Sequence, residues 1–180
     1  MKKIGILLLI TLMLSGCTET PVDTYYVNLH KYEAYYQSIL DRETFLTNSD
    51  SFAIEAVMNK VDDNYRFSVI IEAPKTAMYN IEAMAIIDDG SVSINYDYVM
   101  PASGIFDRAY NIVPYQVNEA AGYPRGIILD GLCNKDKVKL LVMVSWTNAD
   151  STEVYKEFFE LEADINPPVA GVSAVARGEF

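Results

Sequence analysis

The sequence predicts a mainly β protein, an antiparallel β-sandwich preceded by one N-terminal α-helix. Apolar residues recur at steps of three and four over residues 26–47, which is the period of an amphipathic helix. From Phe52 onward the apolar residues alternate with polar ones, which is the period of a strand. Turn-forming residues separate about six or seven of these alternating runs, a number typical of an antiparallel sandwich.

The predicted helix over residues 26–47 contains no glycine or proline. The polar segment TNSDS at 47–51 ends it. Its apolar stripe is rich in tyrosine, which suits packing on the body of the same domain or binding of a partner. The stripe residues are Leu29, Tyr32, Tyr36, Ile39 and Leu40.

The body of the protein is predicted to span residues 50–166 and to begin with a β-hairpin. Alternating residues at 52–58 and 65–71 flank the turn VDDN at 61–64, the pattern of a hairpin. Residues 78–87 become apolar on both faces, which predicts a central strand. A fourth strand is predicted from the alternation of Val92, Ile94, Tyr96 and Tyr98.

The segment 101–126 is less regular because it contains three prolines and three glycines. Short edge strands or crossovers are predicted at 105–113 and 127–129. Alternation returns over residues 138–146, and a last strand is predicted over 155–163.

The stretch LLVMVSWTNADSTEVYKEFFELEA, residues 140–163, resembles the last hairpin of many immunoglobulin-like envelope domains. The resemblance implies an immunoglobulin-like sandwich. The disulfide of antibody-type domains is missing, and a small open barrel would produce a similar pattern.

The first residues resemble the signal peptide of bacterial lipoproteins. Lys2 and Lys3 precede an apolar run at 4–14, which is shorter than the roughly 20 residues that span a bilayer. The run leads into LSGC at residues 14–17, which resembles the lipobox of these proteins.

This resemblance implies that residues 1–16 are a signal peptide and that Cys17 carries a lipid. Residues 17–25 would then be a short tether, and the protein would be exported and anchored to the cell membrane. After Pro167 the composition shifts to small residues, and residues 167–180 are predicted to be a mobile tail or the stub of something longer.

The charge balance argues against nucleic acid as a partner. The chain has 14 basic and 25 acidic residues, a net charge of −11. Removal of residues 1–16 takes away Lys2 and Lys3, which leaves 12 against 25, or −13. Such a chain repels phosphate backbones and anionic lipid headgroups, so its attachment to the bilayer is predicted to be covalent, through Cys17.

Motifs for catalysis, cofactors and metals are not found in the sequence, and we expect a non-catalytic protein without a cofactor. His30 is the one histidine, and no G-x-S-x-G or phosphate-binding glycine motif occurs. The acidic pairs Asp62-Asp63 and Asp88-Asp89 suit turns, with calcium as the alternative.

The sulfur-containing residues are also predicted to be passive. Irregularly spaced methionines suit core packing, with copper binding as the alternative. If Cys17 is lipidated, Cys133 has no partner for a disulfide within the chain, and it is predicted to be a passive, partly buried thiol.

Tyrosine is in excess, with 13 residues, and its rigid amphipathic side chain suits both strands and binding surfaces. We therefore predict a binding or scaffolding module for an envelope protein or a glycan, which contacts its partner through segment 101–126 or the tyrosine-bearing strands. The alternative is a lipoprotein that binds a small solute or a metal ion, calcium or copper, between helix and sandwich. The candidate binding residues are Tyr96, Tyr98, Tyr110, Tyr115 and Tyr123.

Overall fold

The structure, a computed structural model, describes residues 24–167 apart from Asp97. The predicted signal peptide, Cys17 and residues 168–180 of the predicted tail lie outside the described residues. The described part contains one α-helix and eight strands. They are α1 (Thr24–Leu40), β1 (Ala53–Val61), β2 (Asn64–Glu72), β3 (Met78–Ile87), β4 (Ala102–Ser103), β5 (Tyr110–Ile112), β6 (Gly126–Cys133), β7 (Lys137–Thr147) and β8 (Val154–Asp164).

The strands form two antiparallel sheets. One has the order β1-β2-β6, and the other has the order β4-β3-β7-β8, with β5 also pairing with β3. The predicted fold class, a mainly β antiparallel sandwich preceded by one helix, is confirmed.

The main core lies between the two sheets and follows from the alternation of the long strands. Phe67, Val69 and Ile71 of β2 point inward and are almost fully buried, whereas Arg66 and Glu72 of the same strand are exposed. The opposite sheet contributes inward residues from β3, β7 and β8. The largest of these are Met78, Ile81, Leu140, Trp146 and Phe159.

Helix α1 lies on the outer face of the five-stranded sheet and forms a second core there. Tyr32, Tyr36 and Ile39 of the predicted stripe are buried. They pack with Met143 of β7 and Phe158 of β8 in one cluster. The tyrosine stripe therefore packs on its own domain, which was one of the two predicted alternatives.

The helix ends at Leu40, so the prediction that it extends to residue 47 was wrong. Leu46 instead lies along the edge of β8, where its N–H donates to the carbonyl of Phe158 at 2.8 Å and its carbonyl accepts from Glu160 at 3.0 Å. The edge of β8 thus provides hydrogen-bond partners for the N–H and the carbonyl of Leu46, which in a longer helix would have bonded within the helix.

The predicted fourth strand at residues 92–98 was also wrong. The chain forms a loop from Asp88 to Pro101, and the first described strand after it is β4. Ile94 and Met100 of the loop pack against the cluster under α1. The other three residues of the predicted alternation, Val92, Tyr96 and Tyr98, are exposed, and the edge of β3 is instead paired by β4 and β5.

The segment between β4 and β7 differs from the prediction in the lengths of its strands. The strand expected at 105–113 is reduced to β5. The strand expected at 127–129 is the eight-residue β6, which pairs with β2 along its whole length.

The contact between α1 and the sheet predicts a loss of stability at alkaline pH. Tyr35 donates a hydrogen bond to Glu82, which also pairs with Lys31. Burial, followed by the bond to Glu82, raises the pKa of Tyr35, and burial also raises the pKa values of Tyr32 and Tyr36. The folded state therefore favours the neutral phenols.

The contribution of these tyrosines is fully present below their unfolded pKa of about 10 and is lost as the pH rises above it. We expect the free energy of unfolding, measured in urea, to fall between about pH 10 and 12, in the range above the unfolded value. In Tyr35→Phe the fall with pH should be shallower, and an unchanged slope would contradict the assignment. The exposed Tyr115→Phe is the control.

Candidate functional site

Strand β6 forms an edge of the three-stranded sheet. It pairs with β2 from Gly126, opposite Glu72, to Cys133, opposite Tyr65. Among the described residues no strand pairs with its other edge. An edge strand of this length presents a row of N–H and C=O groups that can pair with another chain.

The outer face of β6 carries two exposed aliphatic residues with a carboxylate between them. Ile127 and Leu129 point into the core, whereas Ile128, Asp130 and Leu132 point outward. Ile128 and Leu132 are each 59% exposed. Because alternate residues share a face, the three outward side chains form one row, with Asp130 in the middle.

Asp130 is held in place by the neighbouring strand. Its carboxylate accepts a hydrogen bond from the hydroxyl of Ser68 at 2.5 Å, and Ser68 lies directly opposite it in the sheet. Ser68 is 9% exposed. A charge-assisted hydrogen bond of this kind fixes the position of an otherwise exposed carboxylate.

Two grooves run along β6. The first has a volume of about 490 Å³ and lies between the Gly131 region of the sheet and the loop residues Tyr98 to Pro101. The second has a volume of about 380 Å³ and lies between the start of β6 and a wall that includes Ser103, Arg108 and Tyr110.

The floor of the first groove depends on Gly131. It faces Phe67 across the sheet, and a Cβ at residue 131 would lie within 3.0 Å of the Phe67 ring. The ring therefore occupies the space that a side chain at 131 would take, and it lines the groove from below.

The opposite wall of the first groove is tied to α1. The hydroxyl of Tyr32 accepts a hydrogen bond from the N–H of Met100 at 2.8 Å and lies 3.3 Å from its carbonyl oxygen. Tyr98 and Val99, immediately before this contact, are exposed. Helix α1 thus positions the loop that faces the edge of the other sheet.

The structure distributes the five predicted tyrosines over several places. Tyr98 borders the first groove and Tyr110 the second. Tyr96 lies on the loop near α1, where its hydroxyl donates to Glu33 at 3.1 Å. Two of the five predicted residues therefore border a groove along β6, and their role in binding stays a prediction.

Tyr115 and Tyr123 lie away from the first groove. Tyr115 is fully exposed in a turn, closed by a hydrogen bond between Val113 and Gln116, and has a φ of 61°. Tyr123 pairs through its backbone with Asn118.

The outward residues Ile128, Asp130 and Leu132 of β6 were not predicted as a site. The alternation of residues in GIILDGLC, at 126–133, could have indicated that these three share one face of a strand.

The other residues considered for chemistry lie at the surface or in turns. His30 is exposed, with Nδ1 3.3 Å from a Glu33 oxygen, and Cys133 is a partly buried free thiol. Asp88 and Asp89 accept hydrogen bonds from the N–H groups of Gly90 and Ser91 in their turn.

The described residues show neither a metal-binding cluster nor a membrane-spanning helix. Over residues 24–96 and 98–167 no group of three or more His, Cys, Asp or Glu side chains is arranged to hold a metal ion. In the same ranges no helix is both long enough and apolar enough to cross a membrane.

Comparisons with known proteins give no relative from which a function could be transferred. No family model matches the chain, and neither the curated proteins nor the solved structures contain a match.

Proposed function

We propose that the protein is an exported, membrane-anchored lipoprotein that binds an extended segment of a protein partner without catalysing a reaction. The observation that carries this proposal is the free edge of β6 with its two flanking grooves. Addition of a strand to a sheet edge obtains affinity from main-chain hydrogen bonds and specificity from alternate side chains.

The outward row of β6 indicates the chemistry of the bound segment. Apolar side chains of an added strand would pack beside Ile128 and Leu132, which are spaced by four residues. A lysine or arginine between them would lie near Asp130, and the net charge of −11 favours a basic partner. Regularly spaced backbone donors and acceptors favour a polypeptide over a glycan at this edge.

A charge reversal with a matched control tests the site. We expect a photo-crosslinker at position 132 in the full chain to capture one partner in cells and to attach to an extended segment of it. Asp130→Lys should abolish this crosslink, because it repels the basic residue of the segment. Glu55→Lys makes the same charge change on the outer face of β1, at the opposite edge of the sheet, and should leave the crosslink intact.

Two results would contradict the proposed site. One is equal crosslinking in Asp130→Lys and in the unmodified chain. The other is attachment to a folded surface of the partner that contains no extended basic segment. Unfolding in urea checks that both variants are folded. Glu55→Lys, an exposed substitution, should change the free energy of unfolding by only about 0.5 kcal/mol, whereas Asp130→Lys also removes the hydrogen bond from Ser68, at a cost of about 1.5–3 kcal/mol.

The membrane anchor is tested separately at Cys17. Two or more acyl chains hold a protein firmly on a bilayer. We expect Cys17→Ser to leave the chain unprocessed or to release it from membranes, with loss of palmitate labelling. Cys133→Ser is the control and should retain the label. Continued labelling of Cys17→Ser would show that the lipid is not attached there.

The alternative of a solute or metal carrier receives less support from the geometry. It would place its cargo in a cleft between the helix and the sandwich. That interface is filled by Tyr32, Tyr36, Ile39 and the sheet residues Met84 and Met143, all less than a tenth exposed.

A further inference from the structure

Three aromatic side chains form an exposed cluster at the beginning of α1. They are Tyr25 and Tyr26 of the first helical turn and Phe106, which follows β4. Their exposed fractions are 61%, 59% and 49%. The ring centroids of Tyr25 and Tyr26 are 5.9 Å apart, and those of Tyr25 and Phe106 are 6.3 Å apart. We call these three residues the aromatic cap.

The cap is attached to the body of the protein on its inner side. The Phe106 ring lies 5.8 Å from that of buried Tyr32, and its neighbour Ile105 is buried in the cluster under α1. The carboxylate of Asp107 accepts a hydrogen bond from the Gly104 N–H at 2.6 Å, which closes the turn. The residues on either side of Phe106, Ile105 and Asp107, are therefore fixed to the body of the protein, and they hold the Phe106 ring at the surface.

The two charged residues that follow Phe106 in the chain are engaged with the protein. Asp107 is bound to the turn. The Arg108 guanidinium donates to the carbonyl of Glu119 at 2.9 Å and lies 5.2 Å from the centre of the Tyr110 ring. The cap thus combines an apolar ring with two phenols, the side-chain types that favour the boundary between lipid and water.

The chain that precedes the described residues indicates what covers the cap. Thr24, the first residue of α1, follows Cys17 by seven residues. Such a segment spans at most about 25 Å when fully extended. This step rests on the proposed lipidation of Cys17, which would place the start of α1 within that distance of the bilayer.

We propose that the aromatic cap inserts into the interfacial region of the bilayer that holds the acylated Cys17, and so orients the domain on the membrane. The acidic chain has no electrostatic attraction to anionic headgroups, so the contact depends on the aromatic side chains.

Quenching by brominated lipid tests the contact. The full, lipid-modified chain is reconstituted in phosphatidylcholine vesicles with either ordinary or brominated acyl chains, and tryptophan emission is compared. The native Trp146 is buried in the core, and its emission is subtracted by use of the unsubstituted chain. We expect the added emission of Phe106→Trp, and of Tyr26→Trp, to be largely lost in brominated vesicles.

The matched control is Tyr115→Trp, at an exposed turn beyond β5 and outside the cap. Its emission should be the same in both kinds of vesicle. Equal emission from Phe106→Trp and Tyr26→Trp in the two kinds of vesicle, with protein that floats with the lipid, would overturn the cap contact and leave the anchor intact. If the unsubstituted, lipid-modified chain does not float, the proposed anchor fails, and the cap contact, which rests on it, fails with it.

Discussion

Replacement of Gly104 by alanine is expected to destabilise the protein by about 3 kcal/mol, the sum of a backbone cost and a steric cost. Gly104 has a φ of 75°, and a Cβ there would lie within 3.0 Å of the carbonyl oxygen of Ile81. That oxygen belongs to β3 next to its pairing with β4, so it cannot move without disturbing the sheet. For a domain of this size the melting temperature should fall by about 10 °C.

Gly90→Ala separates the two costs. Gly90 has a similar φ of 79°, but nothing lies within 4 Å of a Cβ built on it. It should therefore show only the backbone cost of about 1 kcal/mol. Equal losses for the two variants, measured by urea unfolding, would mean that the contact with Ile81 relaxes without cost.

The second large effect is expected at the floor of the first groove. Gly131→Ala forces the buried Phe67 ring out of its position, and such overpacking costs about 1–3 kcal/mol. Because Phe67 lines the groove, the same change should weaken the crosslink from position 132 even at temperatures where the chain is folded.

A double-mutant cycle checks this explanation. Phe67→Leu shortens the side chain that a residue-131 Cβ would meet. We expect Gly131→Ala to cost much less in the Phe67→Leu background, with a coupling free energy of about 1–2 kcal/mol. Additive losses would show that Gly131 is needed for a reason unrelated to the ring.

The elements that could be predicted from the sequence are the long strands, whose apolar residues alternate or run continuously between turn residues. The hairpin of β1 and β2 is an example, since Val61 and Asn64 pair on either side of the two-residue turn Asp62-Asp63. Strands β3, β7 and β8 were also predicted close to their observed ends. In each case the neighbours in the sheet reinforce what the local pattern indicates.

The errors arose where distant parts of the chain decide the conformation. Leu46 continues the apolar pattern of a helix but pairs with the edge of β8. Ile94 belongs to a run that alternates like a strand, but it packs under α1. Periodicity identifies a face that is buried, and it does not identify the partner that buries it.

The candidate site was predictable only in part, for a similar reason. The excess of tyrosine indicated Tyr98 and Tyr110, which border the grooves. Asp130 becomes a candidate binding residue only because the sheet order places β6 at an edge. That order depends on the pairing of β6 with β2, whose residue Ser68 lies 62 residues from Asp130 in the sequence.

The contact between Leu46 and β8 also limits how two molecules of the protein can associate. The N–H of Leu46 donates to the carbonyl of Phe158, and the carbonyl of Leu46 accepts from the N–H of Glu160, both in the middle of β8. A strand from a second molecule cannot pair there while Leu46 is in place, because these groups have no remaining bond to offer in the ladder. Pairing of β8 with the sheet of a second molecule is therefore interrupted at the middle of the strand, which shortens the ladder available for growth into an open-ended fibre.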